Sequence, residues 1–159
     1  MSVFRRLAVV VVSLFAVVGV MAPAASAAVA GPPQVKFRAG SHDGYDRVVF
    51  EFVGAKAPGS VLFQQLDGER PYWGQSDLRV TQLWGKRFLK LALPSPAGAE
   101  PYVEVIGERV VNHSLPLVRG AVVNDPGHGG SMEVSVGLVR DAAYTVRHQG
   151  HLVIIDFKR

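Results

Sequence analysis

No cysteine occurs among the 159 residues. That excludes disulfide staples, thiol catalysis and thiolate-held zinc, so the chain has to rest on its apolar core. A helical pattern is missing too. Beyond the N-terminus, apolar residues nowhere recur at i, i+3, i+4 and i+7 over three turns. With no helix to open, a Gly-rich phosphate loop is excluded. Charge of one sign is also scarce. The formal net charge is +4, and Arg5 and Arg6 contribute two of those charges near the N-terminus. Such a weak excess forms no nucleic-acid-binding stripe, so no nucleic acid is expected as a partner. No internal repeat of fixed period appears.

What is present begins with an export signal. Arg5 and Arg6 precede a fifteen-residue uncharged apolar run, Leu7 to Met21, and then the small residues of Ala25-Ser26-Ala27. Small side chains three residues and one residue before a cut are what a signal peptidase admits. The reading is a signal peptide over 1–27, cleaved after Ala27. A retained anchor is the rival, weakened by Gly19, Pro23 and the Ala/Gly/Pro-rich stretch that follows. Membrane contact is then expected only before cleavage, and the protein is expected to be secreted or associated with the cell envelope. Residues 28–34 read as a flexible spacer and 35–159 as one domain. The 132 residues after the cut carry fifteen Lys and Arg against thirteen Asp and Glu, a balance of +2.

The domain reads as all-β. Expected strands are Arg47 to Phe52, Val61 to Leu66, Arg87 to Leu93, Tyr102 to Ile106, Val118 to Val123 and Glu133 to Leu138. Tyr144 to His148 and Leu152 to Phe157 form a closing hairpin around Gln149-Gly150. About eight to nine short strands with turns between them imply a single β-sandwich or a curled barrel.

Two stretches carry a family resemblance. Phe37 to Gly54 reads FRAGSHDGYDRVVFEFVG, and Val136 to Phe157 reads VGLVRDAAYTVRHQGHLVIIDF. The pair is similar to the AMIN-like domain of secreted actinobacterial proteins. Those domains open with a His-Asp-Gly-aromatic-Asp-Arg-Val-Val-Phe strand entry. They close with a Gly-Leu turn, an aromatic-x-Val strand and an apolar strand ending in Asp. The resemblance implies a β-sandwich with a non-catalytic, envelope-targeting role, because AMIN domains proper are often joined to peptidoglycan amidases and hold them at the wall. The expected partner is a cell-wall glycan, peptidoglycan or a relative. The alternative is a secreted protein-interaction module that recruits an envelope protein by a sheet edge.

Read from its residues, the opening motif is structural. His42, Asp43, Gly44, Tyr45, Asp46 and Arg47 make a polar turn feeding a core strand, with Gly44 free to take positive φ. Asp46 is expected to cap the turn and pair with a charge on a neighbouring strand, and Tyr45 to lie over the sandwich edge.

A second motif points to an enzyme. Val122 to Gly130 reads VVNDPGHGG, which resembles the opening zinc-ligand segment of the peptidoglycan amidases, with His128 as the ligand. A catalytic zinc needs about three protein ligands and a general base. Only 31 residues follow His128, and no Glu lies beyond Glu133. A minimal zinc-dependent amidase is therefore set aside, and neither catalytic residues nor a cofactor is expected. The aromatic stretch offers more. Tyr72, Trp73 and Trp84, with Arg79 at the rim, are the residue types that stack on sugar rings and hydrogen-bond their hydroxyls. They are the candidate ligand-binding residues.

Overall fold

The computed structural model describes residues 31–97, 102–127 and 130–159. These residues form ten strands in two five-stranded sheets. The first sheet runs in the order β5 (Glu104–Val105), β1 (Gln34–His42), β2 (Tyr45–Val53), β10 (Leu152–Lys158) and β9 (Tyr144–Gln149). The second runs β3 (Phe63–Asp67), β4 (Arg87–Pro94), β8 (Ser131–Leu138), β7 (Val118–Asp125) and β6 (Val110–Asn112). Neighbours are antiparallel except β1 and β5. The expected all-β sandwich is observed, and the curled barrel is not, because the two sheets do not close on each other. Among the described residues no helix is long and apolar enough to cross a membrane.

Several boundaries differ from expectation. β1 is absent from the expected strands, although Val35, Phe37 and Ala39 alternate toward the core with Lys36 and Arg38 outward. With so few large apolar residues, its stability comes from pairing with β2 along its whole length. The end of the expected spacer is held: buried Pro33 accepts a hydrogen bond from Glu104 N at 2.9 Å. Gly137 and Leu138 lie in β8, in agreement with the expected strand Glu133 to Leu138 and not with the turn that the family pattern implies. The closing hairpin turns on Gly150-His151, one residue later than expected, with φ +61 at Gly150. In the opening hairpin His42 pairs with Tyr45 across Asp43-Gly44, and Gly44 takes φ +78.

Strand alternation sorts each sheet into an inner and an outer face. Val48, Phe50, Phe52, Val153, Ile155 and Phe157 face Leu89, Leu91, Leu93, Ala121, Val123, Val134 and Val136 in one buried cluster. Asp46 is in phase with Val48 and Phe50, so it also points inward and is fully buried. Its Oδ2 accepts hydrogen bonds from Leu117 N at 2.7 Å and Val118 N at 3.0 Å, which ties β2 to the start of β7 in the opposite sheet. The expected pairing of Asp46 with a neighbouring strand's charge is present but long, 3.9 Å from Oδ1 to Arg159 Nε just past β10, and the closer tie is to the opposite sheet. Arg47, one residue on and facing outward, makes the shorter ion pair: its Nε and Nη2 reach Asp156 on β10 at 2.6 and 2.9 Å. Tyr45 stacks on His42 with ring centroids 4.8 Å apart, and the Arg47 guanidinium lies 5.1 Å from the Tyr45 ring centre.

The two-pronged hydrogen bond from Arg47 holds the Asp156 carboxyl below its ordinary range, against a smaller upward push from burial. A depressed folded pKa stabilises the fold above the unfolded value, about 3.9 for Asp. That contribution disappears as pH falls through the lower, folded value. Asp156→Asn should therefore flatten the loss of stability expected as pH falls below about 4 in a denaturation series. Because the pair is solvent-accessible, the difference should be about 1 kcal/mol or less.

The second sheet is covered on both sides. Its outer face carries Phe88 and Val122, and residues 68–86 fold down over them through Val80 and Leu83, both fully buried, with Trp73 packed alongside. This is why β7 and β8 are buried on nearly consecutive residues. The loop is pinned by its backbone. Gly74 N donates to Asn124 O at 3.0 Å and Lys86 N to Leu138 O at 2.8 Å. The Asn112 side chain bonds the segment twice, accepting from Trp84 N at 2.9 Å and donating to Gln82 O at 2.9 Å.

Candidate functional site

Residues 71–80 double back on themselves before crossing the outer face of the second sheet. Trp73 N donates to Leu78 O and Val80 N to Pro71 O, both at 2.9 Å, and Tyr72 bridges Arg79 across the turn. That pairing sets the Arg79 guanidinium 3.8 Å from the centre of the Tyr72 ring. Glu69 holds the same guanidinium at 2.5 Å, and Arg79 also donates to Arg70 O. One face of Tyr72 is thus backed by a fixed cation, and the residue keeps 38% of its surface exposed.

Where this loop meets the sheet at Gly74 and Asn124, two hollows open. The narrower, about 200 Å3, is lined by Tyr72 and Phe63 with Gln65, Lys90, Asn124, Glu133 and Ser135. The strand register explains the polar floor: Gln65, Lys90 and Ser135 lie in one cross-strand row, and Ala92 pairs with Glu133 in the next. Buried Asn124 organises it. Its amide donates to Tyr72 O at 3.1 Å and to Glu133 Oε2 at 2.8 Å, and it accepts from Ser135 Oγ at 3.1 Å. Lys90 is neutralised by Asp67 at 2.8 Å. Partial burial raises the Glu133 carboxyl above the usual range, the hydrogen bond from Asn124 draws it down, and nearby Asp125 pushes it up.

The wider hollow, about 470 Å3, is lined by Trp73, Gln75, Ser76, Arg109, Asn124 and Asp125. The Arg109 guanidinium sits 4.8 Å from the Trp73 ring centre and donates to the carbonyls of Val123 and Asn124. The two hollows adjoin at Gly74 and Asn124, where the loop bonds the sheet, with an aromatic ring and hydrogen-bonding side chains lining each, and the pair is called the groove. Such a groove can stack a sugar ring and bond its hydroxyl or amide groups.

The structure thus places Tyr72 and Arg79 in direct contact and Trp73 in the adjoining hollow. Trp84 stands apart. It is 55% exposed and lines a separate shallow depression with Lys86, Arg119 and Val139. Sequence reasoning does not single out Phe63, Gln65, Lys90, Asn124 or Ser135, and it weighs Glu133 only in setting the zinc site aside. The available signal is strand parity, because these residues occupy the face opposite the leucines and valines of the core. His42, Asp43, Gly44, Tyr45, Asp46 and Arg47 form the opening hairpin and its stack on the first sheet, away from this groove. His128 lies outside the described residues. Among the described residues no cluster of three or more His, Asp or Glu side chains is arranged to hold a metal ion.

No curated protein and no solved structure was found to match the chain. A family model does match, that of the AMIN-like domain, over residues 32–159. The match begins just before β1 and runs through β10, taking in both sheets and the groove between loop and strands. By that match the chain belongs to the AMIN-like domain family.

Proposed function

We propose that this protein is a non-enzymatic binding and localisation module of the cell envelope that recognises peptidoglycan or a related glycan. The observation that carries the reading is the groove over the second sheet. There Tyr72, braced by Arg79, stands over a polar floor of Gln65, Asn124, Glu133 and Ser135. The family tie supports it through the wall-anchoring work of AMIN domains proper, and the export signal read at 1–27 brings the domain to the envelope. Trp73 would form a second stacking surface one subsite along. Trp84 would lie outside the site.

A protein-recruiting role is the competing reading. It is favoured by Leu62 and Phe63, 60% and 53% exposed at β3, where the second sheet ends. Co-sedimentation with purified, protein-free cell wall separates the two. Enrichment above a control domain of equal charge is expected for glycan recognition, and its absence would leave the recruiting role. Tyr72→Ala should reduce wall retention by roughly tenfold, the loss of one aromatic contact of about 1 to 1.5 kcal/mol. Trp84→Ala should leave retention unchanged.

A further inference from the structure

The outer face of the first sheet has a layered charge arrangement. Strand register places Lys36, Arg38, Arg47, Arg147 and Lys158 on it, with Glu51 and Asp156 as the central carboxylates and Glu104, bonded by Gln34, at the β5 edge. Each central carboxylate is shared by two cations. Glu51 meets Lys36 at 3.1 Å and Arg38 at 2.7 Å, and Asp156 meets Arg47 at 2.6 Å and Arg147 at 2.7 Å. The anions sit low and the cations high. The side chains of Arg38 and Arg147 are 60% and 52% exposed, against 19% for Glu51 and 18% for Asp156. At the centre of the face the layer that meets solvent is therefore guanidinium and ammonium.

We propose that this face binds a linear polyanion carrying phosphodiester-type charge, independently of the glycan groove on the other sheet. Neighbouring positions are about 5 Å apart across strands and roughly 7 Å along them. Those spacings fall inside the Debye length of about 10 Å at 0.1 M salt, so the cations act on a ligand together. Exposed guanidinium groups can also take phosphate oxygens in two-pronged fashion without giving up the carboxylates beneath. A lipid surface fits less well. At the centre of the face the apolar side chains, Val49 and Ile154, are each 6% exposed, and at its rim Val53 is 37% exposed, which is too little apolar surface for an inserting wedge.

The test is binding of long-chain inorganic polyphosphate to the chain at several salt concentrations, with phosphatidylglycerol vesicles as a parallel arm. Binding to polyphosphate should weaken with a log–log salt slope of about −2 to −3, one unit for each charge neutralised. Arg38→Gln/Arg147→Gln leaves Lys36 on Glu51 and Arg47 on Asp156, so neither carboxylate is stranded and the fold should survive. This double variant should lose affinity by roughly 25-fold, about fivefold per cation. Tyr72→Ala should bind polyphosphate as the parent does. Equal affinity of the folded double variant, no polyphosphate binding at low salt, or binding to vesicles alone would each overturn the proposal.

Discussion

Asp46→Ala is expected to lower the thermal midpoint by roughly 10 to 20 °C, the result of about 3 to 5 kcal/mol of lost stability. The residue has no accessible surface, and its Oδ2 is the acceptor for two backbone donors, Leu117 N and Val118 N. Removing it strands both donors inside the protein and opens a void between the sheets. Its other oxygen lies 3.9 Å from Arg159 Nε, so the same change leaves a partly covered cation without its counter-charge. Asp46→Asn keeps the shape and one acceptor oxygen and should cost about half as much. Arg47→Ala, one residue on, removes a solvent-accessible pair and should cost about 1 kcal/mol. The ordering Asp46→Ala, Asp46→Asn, Arg47→Ala in urea titrations checks whether the buried tie or the exposed ion pair holds this corner.

Gly137→Ala should be nearly as damaging, at about 3 kcal/mol. A Cβ at this position would stand 1.9 Å from the carbonyl oxygen of Trp84 and 3.5 Å from the Leu83 side chain. The first contact is with backbone, which no rotamer change relieves. The loop must lift at 83–86, and Leu83 then leaves the cluster it forms with Val80, Phe88 and Val122. Since the same loop carries Tyr72 and Trp73, this substitution should also weaken wall retention. At Gly59 an added Cβ would meet nothing within 4 Å, and the backbone has no positive φ, so Gly59→Ala should change stability by less than about 0.5 kcal/mol. An equal effect of the two glycine substitutions would show that the loop does not rest on the sheet as described.

Much of the sandwich is legible in the sequence because alternation is a local signal. RVVFEF and RFLKLAL state their buried and exposed faces residue by residue, and both lie in strands. The inward position of Asp46 is written in the same alternation. Its even position puts it in phase with Val48 and Phe50, which outweighs the expectation that a charge beside a turn faces water. β1 is hidden because QVKFRAGSH carries few large apolar residues and is held by its partner strand. The site is only half legible. Residue type points to Tyr72, Trp73 and Arg79, and the fold brings these to one groove. Nothing local distinguishes Trp84 from Trp73. Their separation arises from how residues 68–86 cross the sheet, which is decided by contacts to Asn112, Asn124 and Gly137 far along the chain. The polar floor is invisible for the same reason, since Gln65, Lys90 and Ser135 become neighbours only through register.

The central claim is that the groove beside Tyr72 is the glycan site. Titrating isotope-labelled protein with soluble peptidoglycan fragments and following backbone amide shifts tests it most directly. Saturable shifts are expected at residues 72–76, Asn124, Glu133 and Ser135, lost in Tyr72→Ala and retained in Trp84→Ala. Shifts confined to the outer face of the first sheet or to the depression beside Trp84, or no shifts at all, would contradict it.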